Sequence, residues 1–173
     1  MNLREKIRNV PDFPVPGILF RDITPLLADP VALREATELM SSHWRDREVD
    51  LIAAMEARGF VFGAGMALEL GAGFIPVRKS GKLPWKTLSV EYELEYRSDV
   101  LHVHEDAVQR GQRVLVVDDL IATGGTARAV CELVETMGGV VVGCEFLVEL
   151  IDLKGRDLLQ GYEVHSEIQF EGD

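Results

Sequence analysis

The feature that most constrains the fold is an apolar segment that runs into two adjacent aspartates. Residues 114–117 are all apolar, Asp118 and Asp119 follow, and a turn with two glycines leads to a helix-like pattern from Thr126. An apolar run of this length is typical of a buried strand. Ligands of open α/β sheets bind at the carboxyl ends of strands. The segment therefore predicts a strand, a tight turn and a helix that together face a ligand.

Apolar strands alternate with helical patterns along most of the chain. We predict strands at 51–55, 74–77, 113–117, 140–150 and 162–170, helices at 60–70 and 126–137, an extended hairpin or lid over 87–104, a short helix before Pro11, and a helix from Pro30 capped by Asp29. This alternation indicates an α/β fold in which helices cover both faces of a parallel sheet. We find no repeat or linker, so residues 1–173 are expected to form a single domain.

Composition excludes several classes of function. The formal net charge of −11 argues against general nucleic-acid binding, which needs a basic surface, and against docking on anionic membranes. Cys131 and Cys144 lack metal-ligand spacing, so we interpret them as buried thiols in a reducing compartment. The first ten residues lack the apolar core of a signal peptide, and no apolar run is long enough to span a membrane. A cytoplasmic protein is expected.

The turn after the aspartates suits a bound phosphate. Its glycines allow backbone amides to converge on an anion, and the following helix N-terminus adds a favourable dipole. Two carboxylates would repel a phosphate, but they accept hydrogen bonds from the vicinal hydroxyls of a sugar. The segment 118–126 is thus interpreted as a ribose 5-phosphate cradle, and it lacks the ending of a P-loop. The structural alternative is a tight strand–helix turn with a capping threonine.

Charge is also distributed unevenly. No Asp or Glu occurs between Glu69 and Glu91, and this interval contains four basic residues, Arg78, Lys79, Lys82 and Lys86. A cationic zone on an acidic surface would select a small polyanion. Arg58, at a predicted strand–helix junction, could bind pyrophosphate through its guanidinium group. A solvated basic loop and an ordinary surface arginine are the alternatives.

The segment 118–126 resembles the phosphoribosyl pyrophosphate signature of type I phosphoribosyltransferases. The resemblance extends over nearly the whole chain, and in particular it is to the adenine phosphoribosyltransferases. The other segments that carry it are 11–14 with 17–23, 56–60, 78–84, 91–96 and 153–156. Arg97 departs from the pattern, because a glycine usually follows Leu-Glu-Tyr in that subfamily.

The resemblance implies a fold, a reaction and a set of site residues. The fold is a type I phosphoribosyltransferase domain with an N-terminal hood and base-binding segment at 1–30 and a mobile catalytic loop at 79–100. The reaction is purine salvage, in which adenine and phosphoribosyl pyrophosphate give AMP and pyrophosphate with Mg²⁺. The implied roles are adenine binding by Leu19, Phe20 and Arg21, pyrophosphate binding by Arg58, Arg78, Lys79, Lys82 and Tyr96, and binding of ribose and its phosphate by Asp118, Asp119, Ala122, Thr123, Gly124, Gly125 and Thr126.

Glu95 matches the catalytic glutamate of the family, although Glu91 and Glu93 would share its face of an extended strand. Mg²⁺ is expected to be held mainly by substrate and water near Asp118 and Asp119, without a dedicated protein cage. The resemblance also implies a homodimer, with the Arg58 loop near the interface, and a cis peptide, by position Glu56–Ala57. Two other functions remain open: transfer to hypoxanthine, guanine or xanthine, and a regulatory protein that senses phosphoribosyl pyrophosphate or a nucleotide.

Overall fold

The computed structural model describes residues 1–93 and 98–172. Its helices are α1 (Thr24–Ala28), α2 (Pro30–Ser42), α3 (Gly59–Leu70) and α4 (Gly125–Thr136), and short 3-10 helices occupy Leu3–Lys6, Ile151–Leu153 and Gly155–Leu159. Its strands are β1 (Arg8–Pro11), β2 (Leu19–Asp22), β3 (Leu51–Met55), β4 (Gly73–Lys79), β5 (Thr87–Glu93), β6 (Ser98–His104), β7 (Arg113–Ile121), β8 (Val140–Leu150) and β9 (Val164–Phe170).

Seven strands form the main sheet, in the order β5-β6-β4-β3-β7-β8-β9. The five strands from β4 to β9 in this order run parallel, whereas β6 is antiparallel to both β4 and β5. Apolar side chains of α2 and α3 pack on one face, and those of α4 and β6 pack on the other. Coverage on both faces explains the unbroken apolar runs of the central strands. The predicted α/β class is confirmed, with an antiparallel hairpin added at one edge.

The predicted start of α2 is confirmed in detail. The Asp29 carboxylate accepts hydrogen bonds from the backbone N–H groups of Val31 and Ala32, at 2.9 and 3.1 Å. Pro30 occupies the first helical position, where its missing N–H costs nothing.

The N-terminal helix predicted before Pro11 is wrong beyond its first turn. A 3-10 turn covers Leu3–Lys6, and β1 then pairs antiparallel with β2, so that Val10 lies opposite Phe20. Tertiary pairing overrides the weak local helix preference of this segment. The proline-rich connection is fixed by a cis Phe13–Pro14 bond and by a hydrogen bond from the Gly17 N–H to Asp12, at 2.8 Å.

Strand β7 continues four residues past its predicted end. It pairs with β3 only as far as Ala54 and Val117, but it pairs with the longer β8 out to Ile121 and Glu149. The apolar pattern stops at Val117, whereas the ladder to β8 does not, and this explains the difference. Asp118 and Asp119 therefore lie within a strand, beyond the end of its neighbour β3.

Both cysteines are buried, as predicted. The Cys131 and Cys144 sulfurs lie 3.7 Å apart without a disulfide. The hydrogen bond with Cys131 and burial raise the pKa of the Cys144 thiol far above its usual range. Within residues 1–93 and 98–172, no helix combines the length and apolar character that crossing a membrane would require.

Candidate active site

The turn between β7 and α4 forms a concave surface at the carboxyl end of the sheet. Eight residues line a cavity of about 210 Å³ there: Leu120, Ile121, Ala122, Thr123, Gly124, Thr126, Ala127 and Phe146. Gly124 is the N-cap of α4, and among the described residues no side chain caps this helix. The structural alternative for this turn, a threonine that caps the helix, is therefore not observed at the start of α4. The first N–H groups of α4 face the turn as anion-binding helix ends do.

Gly124 could not be another residue. Its φ is +85°, in the left-handed region that favours glycine. A Cβ atom at this position would lie 2.2 Å from the backbone oxygen of Gly155. The turn is thus packed directly against the backbone of the segment that follows β8. Sequence reasoning had given Gly155 only as part of a family-like stretch, without a role.

Three predicted site residues from distant parts of the chain meet in a row. The Arg58 Nε lies 2.7 Å from Oδ2 of Asp119, which is buried. The Arg58 guanidinium also lies over the ring of Phe20, 5.1 Å from its centroid. Phe20 contacts the edge of Phe13, with 5.1 Å between ring centroids. The residues predicted for ribose, pyrophosphate and adenine are therefore neighbours.

The two aspartates differ in environment. Burial and the charge of Asp119 raise the pKa of Asp118 well above its usual range, although Arg58 opposes this shift. The backbone N–H of Asp119 donates to Oδ1 of Asp118, at 2.9 Å. A Cβ at Gly59 would lie 2.6 Å from that same oxygen. Gly59 is thus a site residue that the sequence reasoning missed, because its role is to leave space.

Glu56 is a second residue to which the sequence analysis assigned no role, although it belongs to the segment 56–60. Its Oε1 accepts a hydrogen bond from the Lys79 N–H at 2.7 Å and lies 3.5 Å from Nε of Arg78. Burial acts to raise the pKa of Glu56, but the Lys79 hydrogen bond and the Arg78 charge lower it. The Glu56–Ala57 peptide is cis, as predicted. Glu56 thus ties the end of β4 to the loop that contains Arg58.

The basic residues predicted for pyrophosphate lie at this same end of β4. Arg78 Nη1 donates to the Lys82 carbonyl at 3.4 Å, and the Lys79 ammonium lies 3.4 Å from Asp99. Lys79 and Lys82 are exposed. Arg78, Lys79 and Lys82 thus lie near the Arg58 loop, and two of them also pair with carboxylates: Arg78 with Glu56 and Lys79 with Asp99.

The residues predicted to bind adenine, Leu19, Phe20 and Arg21, lie on β2, and their side chains have different surroundings. Arg21 is buried, and its Nη1 donates to Asn9 at 2.6 Å while its guanidinium stacks over Phe170. The Arg21 side chain is thus engaged in the fold, which leaves only its main chain for a ligand. Leu19 and Phe20 are half-buried.

The extended hairpin predicted over 87–104 is formed by β5 and β6, which pair antiparallel. Glu91 and Glu93 are exposed on one face of β5, and Val90 and Tyr92 pack towards α4. The backbone oxygen of Glu93 lies 3.3 Å from where a Cβ of Gly125 would be. Glu95 and Tyr96, predicted as catalytic and pyrophosphate-binding, lie outside the described residues. The end of β5 is therefore in contact range of the turn.

Comparisons with known proteins agree on one family. The sequence model of the phosphoribosyl transferase domain matches residues 22–170. The chain is 55% identical to the adenine phosphoribosyltransferase of Thermotoga neapolitana over 170 residues, which are 98% of this chain and 100% of that protein. It is 53% identical to the adenine phosphoribosyltransferase of Rhodopirellula baltica, over 100% of this chain and 84% of that protein.

Solved structures give the same result. The adenine phosphoribosyltransferase of Thermoanaerobacter pseudethanolicus superposes with a TM-score of 0.95 at 55% identity, covering 97% of this chain and 98% of that one. The enzyme of Saccharomyces cerevisiae, solved with adenine and an imino-altritol bisphosphate, superposes with a TM-score of 0.88 at 39% identity, covering 95% and 96% of the two chains. The similarity spans the entire arrangement that carries the site.

Proposed function

The chain belongs to the adenine phosphoribosyltransferase family, and from this premise we propose how its own residues make AMP and pyrophosphate from adenine and phosphoribosyl pyrophosphate. The observation that carries the proposal is the row of Phe20, Arg58 and Asp119 beside the uncapped start of α4. Phosphoribosyl pyrophosphate has a ribose 5-phosphate at one end and a pyrophosphate on its anomeric carbon at the other, and adenine attacks that carbon. The row and the start of α4 offer a partner for the base, the pyrophosphate, the ribose and the phosphate.

The 5-phosphate binds in the turn 122–126. Gly124 and Gly125 let the backbone N–H groups approach the phosphate oxygens, and the hydroxyls of Thr123 and Thr126 donate to them. The ribose hydroxyls donate to Asp118 and Asp119. Because these carboxylates precede the turn directly, one substrate molecule spans both. The 5-phosphate stays bound here throughout the reaction, since the bonds that break and form are at the anomeric carbon on the other side of the ribose.

Adenine stacks on Phe20, and the main chain of Leu19 and Arg21 contacts the edge of the base. A flat aromatic ring on a rigid strand suits a purine. The Arg58 guanidinium lies over the same ring, 5.1 Å from its centroid. Phe20 therefore places the base beside the side chain that is proposed to bind pyrophosphate.

Pyrophosphate is held by Arg58, Arg78, Lys79 and Lys82. Their positive charge stabilises the leaving group as the bond from the anomeric carbon to oxygen breaks. The bond from adenine nitrogen to that carbon forms, and the carbon passes through an oxocarbenium-like state. The Asp118 and Asp119 carboxylates lie near the positive charge that develops. Glu95 accepts or shares the proton of the purine ring, and Tyr96 assists at the pyrophosphate.

Mg²⁺ is the cofactor that fits these residues. Asp118 and Asp119 supply two carboxylates beside the turn, a donor set too small to enclose an ion that prefers six oxygen ligands. The remaining ligands would come from substrate oxygens and water. When bound, Mg²⁺ neutralises charge on the leaving pyrophosphate.

A homodimer is the expected assembly. Helix α3 directly follows Arg58 and exposes apolar side chains, with Val61 at 40% and Leu68 at 87% exposure. Exposed apolar residues grouped on one helix favour a protein interface. Closure of the segment 79–100 over the substrates, and a cytoplasmic location, also stay proposals.

The test is a direct assay of product and base selectivity. Protein, Mg²⁺, phosphoribosyl pyrophosphate and one base are mixed, and nucleotide formation is followed by chromatography. AMP formation from adenine, with much slower use of hypoxanthine, guanine and xanthine, is the expected result. Faster use of another base would reassign the substrate. Tight binding of phosphoribosyl pyrophosphate without turnover of any base would instead support a regulatory sensor.

A further inference from the structure

A second polar cluster lies away from the phosphate turn, where α2 meets β8 and β9. It consists of His43, Glu145 and Glu167, and each offers one ligand atom within 4.8 Å of the other two. His43 follows the end of α2, and its Nε2 lies 2.9 Å from Oε1 of Glu167. None of these residues belongs to the site described above.

Glu145 lies entirely out of solvent on β8, next to the edge strand β9. The indole N–H of Trp44 donates to its Oε2 at 2.7 Å. Its Oε1 is buried and finds no hydrogen-bond partner among the described residues. A buried carboxylate oxygen without a donor is costly. Because the Glu145 carboxylate lies close to that of Glu167, the two require either a shared proton or a bound cation between them.

The surroundings hold these side chains in position. The His43 ring stacks on that of His165, with 4.2 Å between centroids and 12° between planes. Trp44 is fully buried, and Gly143 makes room for it, because a Cβ there would lie 2.2 Å from the indole ring. The hydrogen bond from Trp44 thus fixes the Glu145 carboxylate as outer partners fix metal ligands.

An ion could reach this cluster from solvent. The His43 side chain is 34% exposed, whereas that of Glu167 is 7% exposed. Glu167 also borders an open cavity of about 660 Å³. The Glu145 carboxylate therefore lies at the buried end of the cluster, and the His43 imidazole lies at its solvent-exposed end.

We propose that His43, Glu145 and Glu167 bind one divalent transition-metal ion of the Zn²⁺ type. One imidazole nitrogen and two carboxylates are a donor set that suits Zn²⁺ better than Mg²⁺. Zn²⁺ bonds to such ligands at about 2.0–2.2 Å, so the ligand atoms of one ion lie within about 4.4 Å of each other. The ligand atoms of the cluster all lie within 4.8 Å of one another, and His43 Nε2 lies 2.9 Å from Glu167 Oε1, so small side-chain movements would bring them to this spacing. Water would complete the coordination.

The test is calorimetric titration of the full chain with Zn²⁺ in the presence of excess Mg²⁺, which occupies sites made only of oxygen. The expected result is one saturable Zn²⁺ site per chain. The variants His43→Gln and Glu167→Gln should each weaken it by at least about tenfold. Glu163→Gln is the matched control, since Glu163 binds Arg47 and His165 beside the cluster but offers it no ligand atom.

A spectroscopic readout covers the case in which Glu167→Gln fails to fold. Co²⁺ replaces Zn²⁺, and its visible absorption bands report nitrogen and oxygen ligation. His43 is exposed at a helix end, so His43→Gln should keep the fold, and the bands should be lost in this variant but retained in Glu163→Gln. Saturable binding that is equal in the wild type and His43→Gln would overturn the proposal. Absence of a one-to-one site in the wild type would overturn it too, and would leave a shared proton between the carboxyl groups.

Discussion

Arg58 and Asp119 form a direct ion pair, with 2.7 Å between Nε and Oδ2. They come from different strand ends, and each is proposed to bind a different part of the same substrate. The pair keeps a buried carboxylate compensated before the substrate arrives. When phosphoribosyl pyrophosphate binds, its hydroxyls and its pyrophosphate can replace the two partners in one event. The pair thus joins the loop after β3 to β7 at the place where the substrate is proposed to bind.

We expect Arg58→Gln to reduce kcat/KM for phosphoribosyl pyrophosphate by about 10²–10³, the cost of removing one group that stabilises developing charge. Steady-state kinetics with saturating adenine would measure this loss. Arg45→Gln is the matched control, since Arg45 pairs with Glu69 at 3.6 Å on an exposed surface outside the proposed site. Equal kinetics in the two variants would contradict the assignment of Arg58.

Gly124→Ala should abolish binding of phosphoribosyl pyrophosphate, because the new Cβ would meet the Gly155 backbone oxygen at 2.2 Å. Calorimetry with Mg²⁺ would measure the affinity. Gly111→Ala separates the collision from the backbone conformation. Gly111 also has a positive φ, +86°, but an added Cβ meets nothing within 4 Å. It should cost about 1–2 kcal/mol of stability through conformation alone, with the affinity retained. Unchanged affinity in Gly124→Ala would exclude the turn as the phosphate site.

Glu95→Leu should lower kcat by about 10²–10⁴ with little change in substrate affinity, since a positioned acid or base contributes that much. Single-turnover assays would separate the chemical step from binding. Glu91→Gln and Glu93→Gln are the controls, because both lie exposed on β5. Loss of turnover in a control, with normal turnover in Glu95→Leu, would move the catalytic position along the strand.

The Arg156–Glu149 pair predicts a pH effect on stability. Hydrogen bonds from Arg156 lower the pKa of Glu149, although burial opposes the shift. Because the folded pKa lies below the unfolded one, this stabilisation is fully present above the unfolded pKa, roughly 4.3, and is lost as the pH falls through the folded value. Arg156→Leu should thus cost about 1–3 kcal/mol at pH 7, because it removes the charged partner of a buried carboxylate and leaves it only the hydrogen bonds from Ser166 and Gln169.

Urea unfolding of Arg156→Leu and the wild type across pH 3–7 would measure this difference, which should shrink towards the acid end. Arg45→Gln breaks an exposed pair and should change stability by no more than about 1 kcal/mol at any of these pH values. A difference for Arg156→Leu that stays constant with pH would mean that packing, and not the charge of Glu149, sets its effect.

The strands 51–55 and 140–150 were predicted to the residue, because their apolar runs coincide with the ladders they form. β7 was predicted too short, since its last residues are polar and only the partner strand β8 determines that pairing continues. The prediction of a helix in the N-terminal segment was wrong for a similar reason, because pairing with β2 makes residues 8–11 a strand. A local sequence pattern predicts a strand correctly where the whole strand is buried. It fails where pairing with a distant strand determines the secondary structure.

The candidate site divides in the same way. Asp118, Asp119 and the glycine turn could be found from sequence, because a carboxylate pair at the end of an apolar run has few structural explanations. The ion pair of Arg58 with Asp119 and the hold of Glu56 on Lys79 could not, since they depend on where three strand ends meet. Gly59 could not either, because a residue that acts by leaving space carries no chemical signal.

Gly124 and Gly155 restrict how this protein can change. A side chain at Gly124 would strike the Gly155 oxygen, and a side chain at Gly155 would lie 2.4 Å from the Ala122 oxygen. Each obstacle is a main-chain atom, which no mutation can trim. A loss at one position therefore has no compensating substitution at the other. Selection or engineering for a new base would have to explore the N-terminal segment and the hairpin, while this pair of glycines stays outside the accessible variation.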